Sequence, residues 1–416
     1  MLERVVIISD DSVSSGGAAA IALASIRLLR KRGVRVTLLT GDDGGNPELR
    51  TLGVDVVALG GASITGKSGA AAAASGLYSP AARRLVAAWI KRHDTPGTVY
   101  HLHNWHKFLS PSIFAALRRV ETRLFMTAHD YFLVCPNGGY FLYPQQAACD
   151  YVPMSGACIR TACDKRHYAH KLWRVARQEV RSRLFSLAKT KATVLAVHEG
   201  MVPLLVRGGV TPRAIHVLRN PVEPWRQERV TAERNRDVFF IGRLEQDKGV
   251  DLLAEAARRA GLRLQIIGDG PLKDSLAKDY PDAVLLGRKS RAEIGELIAA
   301  ARMVAVPTRW RETFGLVAFE ALMSGVPVIA SRHALVADEI VERNFGLACD
   351  PHNADELTAC LSALGGDDTR VKEMSLRAFE GASQFAPSPE QWCGDLLNLY
   401  ETKLQHASMS DDQGPR

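Results

Sequence analysis

Two glutamates separated by seven residues stand in RETFGLVAFEALMSGVPVIAS, residues 311–331. Apolar positions recur at helical spacing from Leu316 through Met323, Gly325 can close that helix, and 326–330 reads as a buried strand. Glu320 therefore falls about one turn inside a helix that must pack closely. In one continuous helix the two carboxylates would stand about 12 Å apart along the axis. The Phe314-Gly315 pair argues instead that the helix begins after Glu312 and leaves Glu312 on its entry loop. Two carboxylates and a helix N-terminus can then converge on one polar ligand.

Other loops that follow strand patterns carry compatible chemistry. FFIGRLEQDKGVDLLAEAA, residues 239–257, sets Arg243 and Lys248 between a strand and a helix. There they can neutralise a diphosphate without a metal, or stand as a solvated surface pair. IIGDGPL, 266–272, is a tight glycine turn beginning at Gly268, and LLGRKS, 285–290, ends a third strand with Gly287 and Arg288, able to present backbone groups to a nucleobase. Near the N-terminus SDDSVSSGGAAA, 9–20, places Gly16-Gly17 before an Ala-rich helix, which suits the close approach of a phosphate or simply starts a helix. The pattern is not G-x-G-x-x-G, and no acidic residue ends the next strand to hold an adenosine ribose, which counts against a dinucleotide dehydrogenase.

Strands alternate with helices twice over, so the fold class is α/β, with two doubly wound Rossmann-like domains facing each other across a cleft. The length of 416 residues suits two domains, and 46% hydrophobic with 24% charged residues is the composition of an ordinary globular protein. NPVEPWRQERVTAERNR, 220–236, reads as the linker. The expected division is an acceptor-binding domain over 1–220, a donor-binding domain over 221–388, a last helix over 389–405 that crosses back to the first domain, and a disordered tail over 406–416. The opening MLERVVIIS is a strand pattern and not a signal peptide, which makes a cytoplasmic protein the default expectation.

The net charge of +8 is concentrated. Residues 164–191 hold nine Lys/Arg against two acids, with Leu172, Trp173, Val180, Leu184, Phe185 and Leu187 interleaved at helical spacing. This is either a helix with a solvated basic face or a surface attracted to anionic lipid or an acidic acceptor. No nucleic-acid motif accompanies it, and nucleic acid is not expected as a partner. Cys135, Cys149, Cys158 and Cys163 fall within 29 residues, with 13, 8 and 4 residues between them. A reducing compartment argues against disulfides, and the paired C-x-x-C knuckle is missing, so buried thiols and a structural zinc both remain open.

In this order, GRLEQDKG, IIGDGPL, LLGRKS and above all ETFGLVAFEALMSGVPVIAS make the second half resemble the retaining nucleotide-sugar glycosyltransferases of family 4, the group 1 enzymes with the GT-B fold. The first half is similar more loosely, through SSGGAAA, HLHNWH, TAHD and LRNPV. The resemblance implies that Glu320 holds the ribose of a nucleoside diphosphate sugar and Glu312 the transferred sugar. The N–H groups around Phe314, Gly315 and Leu316 would meet the diphosphate, with Arg243 and Lys248 as counter-charges. His129 of TAHD matches the family's sugar-lining histidine. His103, Asn104 and His106 would face a glycan or lipid-linked acceptor, although a structural loop is an equal reading. No protein nucleophile and no metal cofactor for catalysis are implied. Two departures concern the acceptor half: Val197-His198-Glu199 stands where many relatives carry Ser-Glu, and the Cys-rich stretch after TAHD is long. A hydrolysing nucleotide-sugar epimerase of the same plan and a non-enzymatic nucleotide-sugar sensor are the alternatives.

Overall fold

A computed structural model of the chain describes residues 1–61 and 70–411. Two compact units divide it. The first takes 1–144, 149–218 and the chain from 389 onward; the second takes 219–388 with the short stretch 145–148.

The first unit is built on seven strands: β1 (Arg4–Ser9), β2 (Arg35–Thr40), β3 (Asp55–Ala58), β4 (Thr98–Leu102), β5 (Leu124–Ala128), β6 (Thr193–Ala196) and β7 (Ile215–Val217). Their order is β3-β2-β1-β4-β5-β6-β7 and every neighbouring pair is parallel. β1 and β4 run nearly unbroken in apolar or buried residues, as central parallel strands covered on both faces must. Val5 sits in register between Val36 and Val99, which brings the loops after β1 and β4 side by side.

The helix Pro389–Asp411 belongs to this unit. Trp392, Leu396, Tyr400 and Leu404 recur every four residues and are buried, and the Tyr400 ring packs at 4.9 Å from Phe125. The polar composition from His406 suggests a disordered tail, but the helix continues to Asp411, while 412–416 lie outside the described residues. A helix nucleated by four anchored turns propagates cheaply, and no Gly or Pro interrupts it from Asp395 to Asp411.

The basic segment also departs from its simple reading. Its helix spans Tyr168–Leu184, yet the residues it buries are Lys171, Arg177, Gln178 and Arg181, while Leu172 is exposed. Arg177 donates to the His106 carbonyl at 2.8 Å and lies 5.0 Å over the Trp105 ring; Arg181 donates to the Phe185 carbonyl. Three of the nine cations thus serve the interior, because carbonyls and an aromatic face receive the two arginines there and the Cys158 and Cys163 sulfurs receive Lys171.

The second unit holds β8 (Asp237–Ile241), β9 (Leu264–Ile267), β10 (Val284–Gly287), β11 (Ala301–Val306), β12 (Val328–Ser331) and β13 (Gly346–Cys349). The order is β10-β9-β8-β11-β12-β13, again all parallel. In both sheets the chain starts at the centre, winds to one edge, and returns to add strands on the other side. At that reversal, between β1 and β4 and between β8 and β11, the connections run to opposite sides of the sheet, and the strand carboxyl ends there are where such sheets bind ligands. The expected linker is packed against this unit: Trp225 N–H donates to Ser324 Oγ at 2.9 Å, and Arg229 donates to Ser375 Oγ at 2.6 Å. Among the described residues no helix is long and apolar enough to cross a membrane.

Candidate functional site

In the second unit β8 and β11 are neighbours, so the loops that leave them must meet unless side chains hold them apart. Gly249, left-handed at φ 70°, removes the obstacle: a Cβ there would lie 2.0 Å from the Pro307 carbonyl oxygen. The approach sets Lys248 Nζ 2.6 Å from Glu312 Oε2, with both side chains largely shielded, and places the ammonium 5.6 Å from the Trp310 ring centroid. Around the pair, Arg309 N–H donates to the Asp247 carbonyl, the Arg309 guanidinium binds Asp251 at 2.6 Å, and Leu335 N–H donates to the Glu312 carbonyl. Gly249→Ala should therefore lower unfolding stability by about 3 kcal/mol or more, from φ strain and the backbone clash together. Gly261→Ala shares the left-handed φ but meets nothing within 4 Å. It should cost only about 1–2 kcal/mol, and urea unfolding of the two variants separates strain from crossing.

The helix after Glu312 spans Leu316–Met323, with Gly315 at its N-cap in the left-handed region and no side chain capping it. Its first-turn N–H groups open beside the Glu312 loop. Phe314 is buried against Phe319, so its contribution to a ligand is backbone only. Glu320 does not share Glu312's partner. It faces Arg291, which donates to it at 2.5 Å and also reaches the Glu223 carbonyl. Burial pushes the Glu320 carboxyl up, opposed by Arg291. Sequence reasoning missed Arg291. The signal was the Ser290-x-x-Glu293 capping box, which starts a helix at Arg291 right after LLGRKS.

The remaining donor-side residues are placed unevenly. Arg243 is half-exposed and pairs with Glu245 at 2.6 Å. The sequence paired the two cations as equals; the fold puts only Lys248 with Glu312, since a guanidinium six residues from the crossing finds its nearest carboxylate on its own loop. Gly268 N–H donates to the Gly287 carbonyl at 2.9 Å and ties the turn after β9 to the end of β10. A Cβ on Gly268 would lie 1.8 Å from the Gly242 carbonyl oxygen. Arg288 is exposed.

In the first unit the helix Gly17–Lys31 starts at the predicted glycine pair, with Gly16 as an N-cap that has open space around it. What organises this reversal point is Asp10, which the sequence reading passed over. Its carboxylate accepts from the N–H groups of Lys107, Phe108 and Leu109 at 2.7–2.9 Å and so clips the loop after β1 to the loop after β4. Lys107 Nζ adds Asp11 at 3.2 Å and Ser15 at 3.1 Å.

HLHNWH and TAHD come together as a stack of imidazoles. His103 Nδ1 lies 3.0 Å from His129 Nε2 with the rings 5.3 Å apart and nearly parallel, and His101 bridges Tyr400 Oη at 2.6 Å and Thr127 Oγ1 at 2.7 Å. Asn104 is buried beside them, while the His106 ring packs 4.4 Å from Phe132. Burial holds His101 and His129 down at about 3, and His103 and His106 well below the ordinary value. The neighbouring Asp130 carboxyl is pushed up to about 6, again by burial. The stack is thus neutral near pH 7. Depressed histidines stabilise the fold above the unfolded value near 6.5 and lose that contribution as pH falls toward 3; a raised carboxyl works in the opposite sense between 3.8 and 6. The four depressed histidines outnumber the raised carboxyls of Asp10 and Asp130, so stability should fall as pH drops below about 6.5. Urea midpoints measured from pH 7.5 down to 4.5 should fall accordingly, and His101→Gln should flatten the slope.

Cys135, Cys149, Cys158 and Cys163 are all buried, unpaired with one another as disulfides, and line one small cavity of the first unit. In the second unit His333, Asp350 and His352 bring ligand atoms within 4.8 Å of one another, a set no sequence motif announced because its members come from the ends of β12 and β13. Burial depresses both imidazoles, and the neighbouring Arg332, Arg309 and Arg311 charges add to that.

Known proteins share this architecture and part of this sequence. Residues 221–379 match the model described as glycosyl transferases group 1, and 16–221 match the glycosyl transferase 4-like domain. A GDP-mannose-dependent alpha-mannosyltransferase of Corynebacterium glutamicum is 34% identical over 163 residues, 39% of this chain and 39% of that protein. A D-inositol 3-phosphate glycosyltransferase of Nocardia farcinica is 33% identical over 170 residues, 36% and 37% of the two chains. The chain thus aligns with about two-fifths of the length of these curated relatives. The fold is that of sucrose-phosphate synthase from Thermosynechococcus elongatus, at TM-score 0.70, 17% identity and coverage of 96% and 98%. HepE from Anabaena, solved in complex with UDP, gives 0.65 at 17% identity, with coverage of 96% and 100%. With a doubly wound sheet in each unit and the two models running consecutively from 16 to 379, the chain belongs to the group 1 (family 4) glycosyltransferases of GT-B fold.

Proposed function

We propose that the protein transfers a hexose-type sugar from a nucleoside diphosphate sugar, with retention of anomeric configuration, to a glycan or lipid-linked acceptor in cell-envelope or exopolysaccharide synthesis. The observation that carries the reading is the Lys248–Glu312 pair beside the uncapped N-terminus of Leu316–Met323. An ammonium and first-turn N–H groups are a diphosphate site, and they gain strength as the leaving phosphate collects charge. Glu312 is then placed to accept from hydroxyls of the sugar, and Glu320 from the ribose, with Arg291 holding its carboxylate in position. In this reading Gly268, Gly287 and Arg288 serve donor binding in the second unit, Gly16 and Gly17 give a phosphate-approach point in the first, and Arg243 swings from Glu245 to the diphosphate when donor arrives. In the first unit the neutral His129 presents a hydrogen-bonding imidazole to the sugar, and His103, Asn104 and His106 meet the acceptor. The departing phosphate takes the acceptor's proton, so no protein nucleophile is involved.

A thermal-shift comparison of UDP-, GDP- and ADP-sugars identifies the donor, since a ligand of the folded state raises its stability. Product formed only with added acceptor, and with the donor's anomeric configuration, supports retaining transfer; free sugar released without acceptor would support hydrolysis or epimerisation instead. Because Lys248 and the helix N-terminus supply the counter-charge, transfer should persist in excess EDTA. Complete loss restored by Mg²⁺ or Mn²⁺ would overturn metal independence. Exposed Lys165 and Arg166 beside exposed Tyr168 and Leu172 support contact with an anionic membrane on its cytoplasmic face. Co-sedimentation with anionic vesicles should fall steeply with salt, and equal sedimentation with neutral vesicles would remove the idea.

A further inference from the structure

The cysteine cluster plays no part in transfer, yet the fold spends a buried cation on it. Cys135, Cys149, Cys158 and Cys163 reach one cavity of about 10 Å³, room for a single water-sized sphere, from separate turns of the loop after β5. Each is at most 8% exposed. Lys171, fully buried, projects from the helix Tyr168–Leu184 into the same cavity. Its Nζ lies 3.1 Å from Cys163 Sγ and 3.4 Å from Cys158 Sγ. Among the described residues no carboxylate pairs with it. Burying an ammonium is costly unless it is paired and hydrogen-bonded, and here the pairing atoms are sulfurs, which offset a positive charge only as thiolates.

The backbone around the cavity is fixed independently of any ligand. The Asn137 side chain accepts from Cys135 Sγ at 3.1 Å and donates to the carbonyls of Phe141 and Cys163 at 2.8 and 3.1 Å, stapling the first cysteine's turn to the last. Ser155 caps the turn that carries Cys158, and Cys149 N–H donates to the Tyr140 carbonyl. The four cysteines are thus held around one cavity by contacts that do not involve sulfur alone.

We propose that Cys135, Cys149, Cys158 and Cys163 bind one zinc ion as thiolates, with Lys171 as the buried counter-charge. An all-sulfur set selects zinc over hard cations, and the cavity admits one ion, not a multi-iron cluster. The four sulfurs stand wider apart than ligation requires: no three of them lie within 4.8 Å of one another. A zinc–sulfur bond of about 2.3 Å brings ligands to about 3.8 Å. Binding would therefore require the cysteine side chains to rotate inward and the flexible Lys171 stem to withdraw while still donating to sulfur. Four thiols give up four protons to form a site of charge −2, which Lys171 reduces to −1. The ion would pin the long loop that begins at His129 and Asp130.

The full chain, reconstituted with Zn²⁺ under a thiol reductant and desalted, should retain about one equivalent of zinc, released by an organomercurial. Cys158→Ser should lose it and Cys360→Ser should keep it. Lys171→Met removes a partner of the ligands without removing a ligand, so it should bind zinc at one site but about 10- to 100-fold more weakly in chelator competition. If Cys158→Ser does not fold, mercurial release and the Lys171 variant still decide. Zinc near zero after reconstitution, bound iron with visible absorption, or a Cys158–Cys163 disulfide persisting in reductant would each overturn the proposal, as would a Lys171→Met affinity equal to that of the parent.

Discussion

Lys248→Met should reduce turnover by about 10²- to 10³-fold, the loss that follows removal of one preorganised charge-stabilising donor. Two effects add. The diphosphate loses the cation that gathers its developing charge, and Glu312 loses its 2.6 Å partner while still largely shielded from water. Lys248→Arg keeps the charge, but its planar fork does not fit a position over the Trp310 ring shaped for an ammonium, so only partial recovery is expected. Steady-state kinetics on all three proteins, with urea unfolding as a control for fold, check this. Lys248→Met turning over within about threefold of the parent would show that the diphosphate is held elsewhere.

The two glutamates should fail differently. Glu320→Gln removes the charge assigned to the ribose and also releases Arg291, so both the donor and the bare nucleoside diphosphate should bind more weakly. A charged hydrogen bond of this kind is worth about 1.5–3 kcal/mol, or about 10- to 150-fold in affinity. Glu312→Gln should lower turnover while leaving nucleoside diphosphate affinity intact or improved, because Lys248 is freed from its internal carboxylate. Calorimetry with the bare nucleoside diphosphate beside turnover of the full donor measures both. Equal losses of nucleotide affinity in the two variants would dissolve the division of labour.

Much of the second unit could be read along the chain. The helix Leu316–Met323 begins and ends where its apolar spacing and flanking glycines place it, because propensity, patterning and caps agree there. Gly16-Gly17 likewise opens a helix. Charge was the less legible property. In the helix Tyr168–Leu184 the buried face carries Lys171, Arg177 and Arg181, which a pattern that sorts apolar inward and charged outward inverts. The partners that make their burial tolerable, the Trp105 ring, the His106 carbonyl and two thiols, are distant in sequence or on the preceding loop.

The sequence by itself determined the alternation of strands and helices, the positions of the loops that could hold a ligand, and the placement of Glu312 outside and Glu320 inside one helix. These depend on local periodicity and turn chemistry, which act over a few residues. Only the tertiary structure decided which of those groups meet. Lys248 finds Glu312, 64 positions away, because β8 and β11 are adjacent and Gly249 lets their loops cross; Glu320 finds Arg291 and Arg243 stays with Glu245. His103 reaches His129, and Asp10 reaches Lys107, Phe108 and Leu109, for the same reason. Strand order sets which loop ends are neighbours, and in a parallel sheet that order is fixed by long-range pairing, which no short stretch of sequence contains.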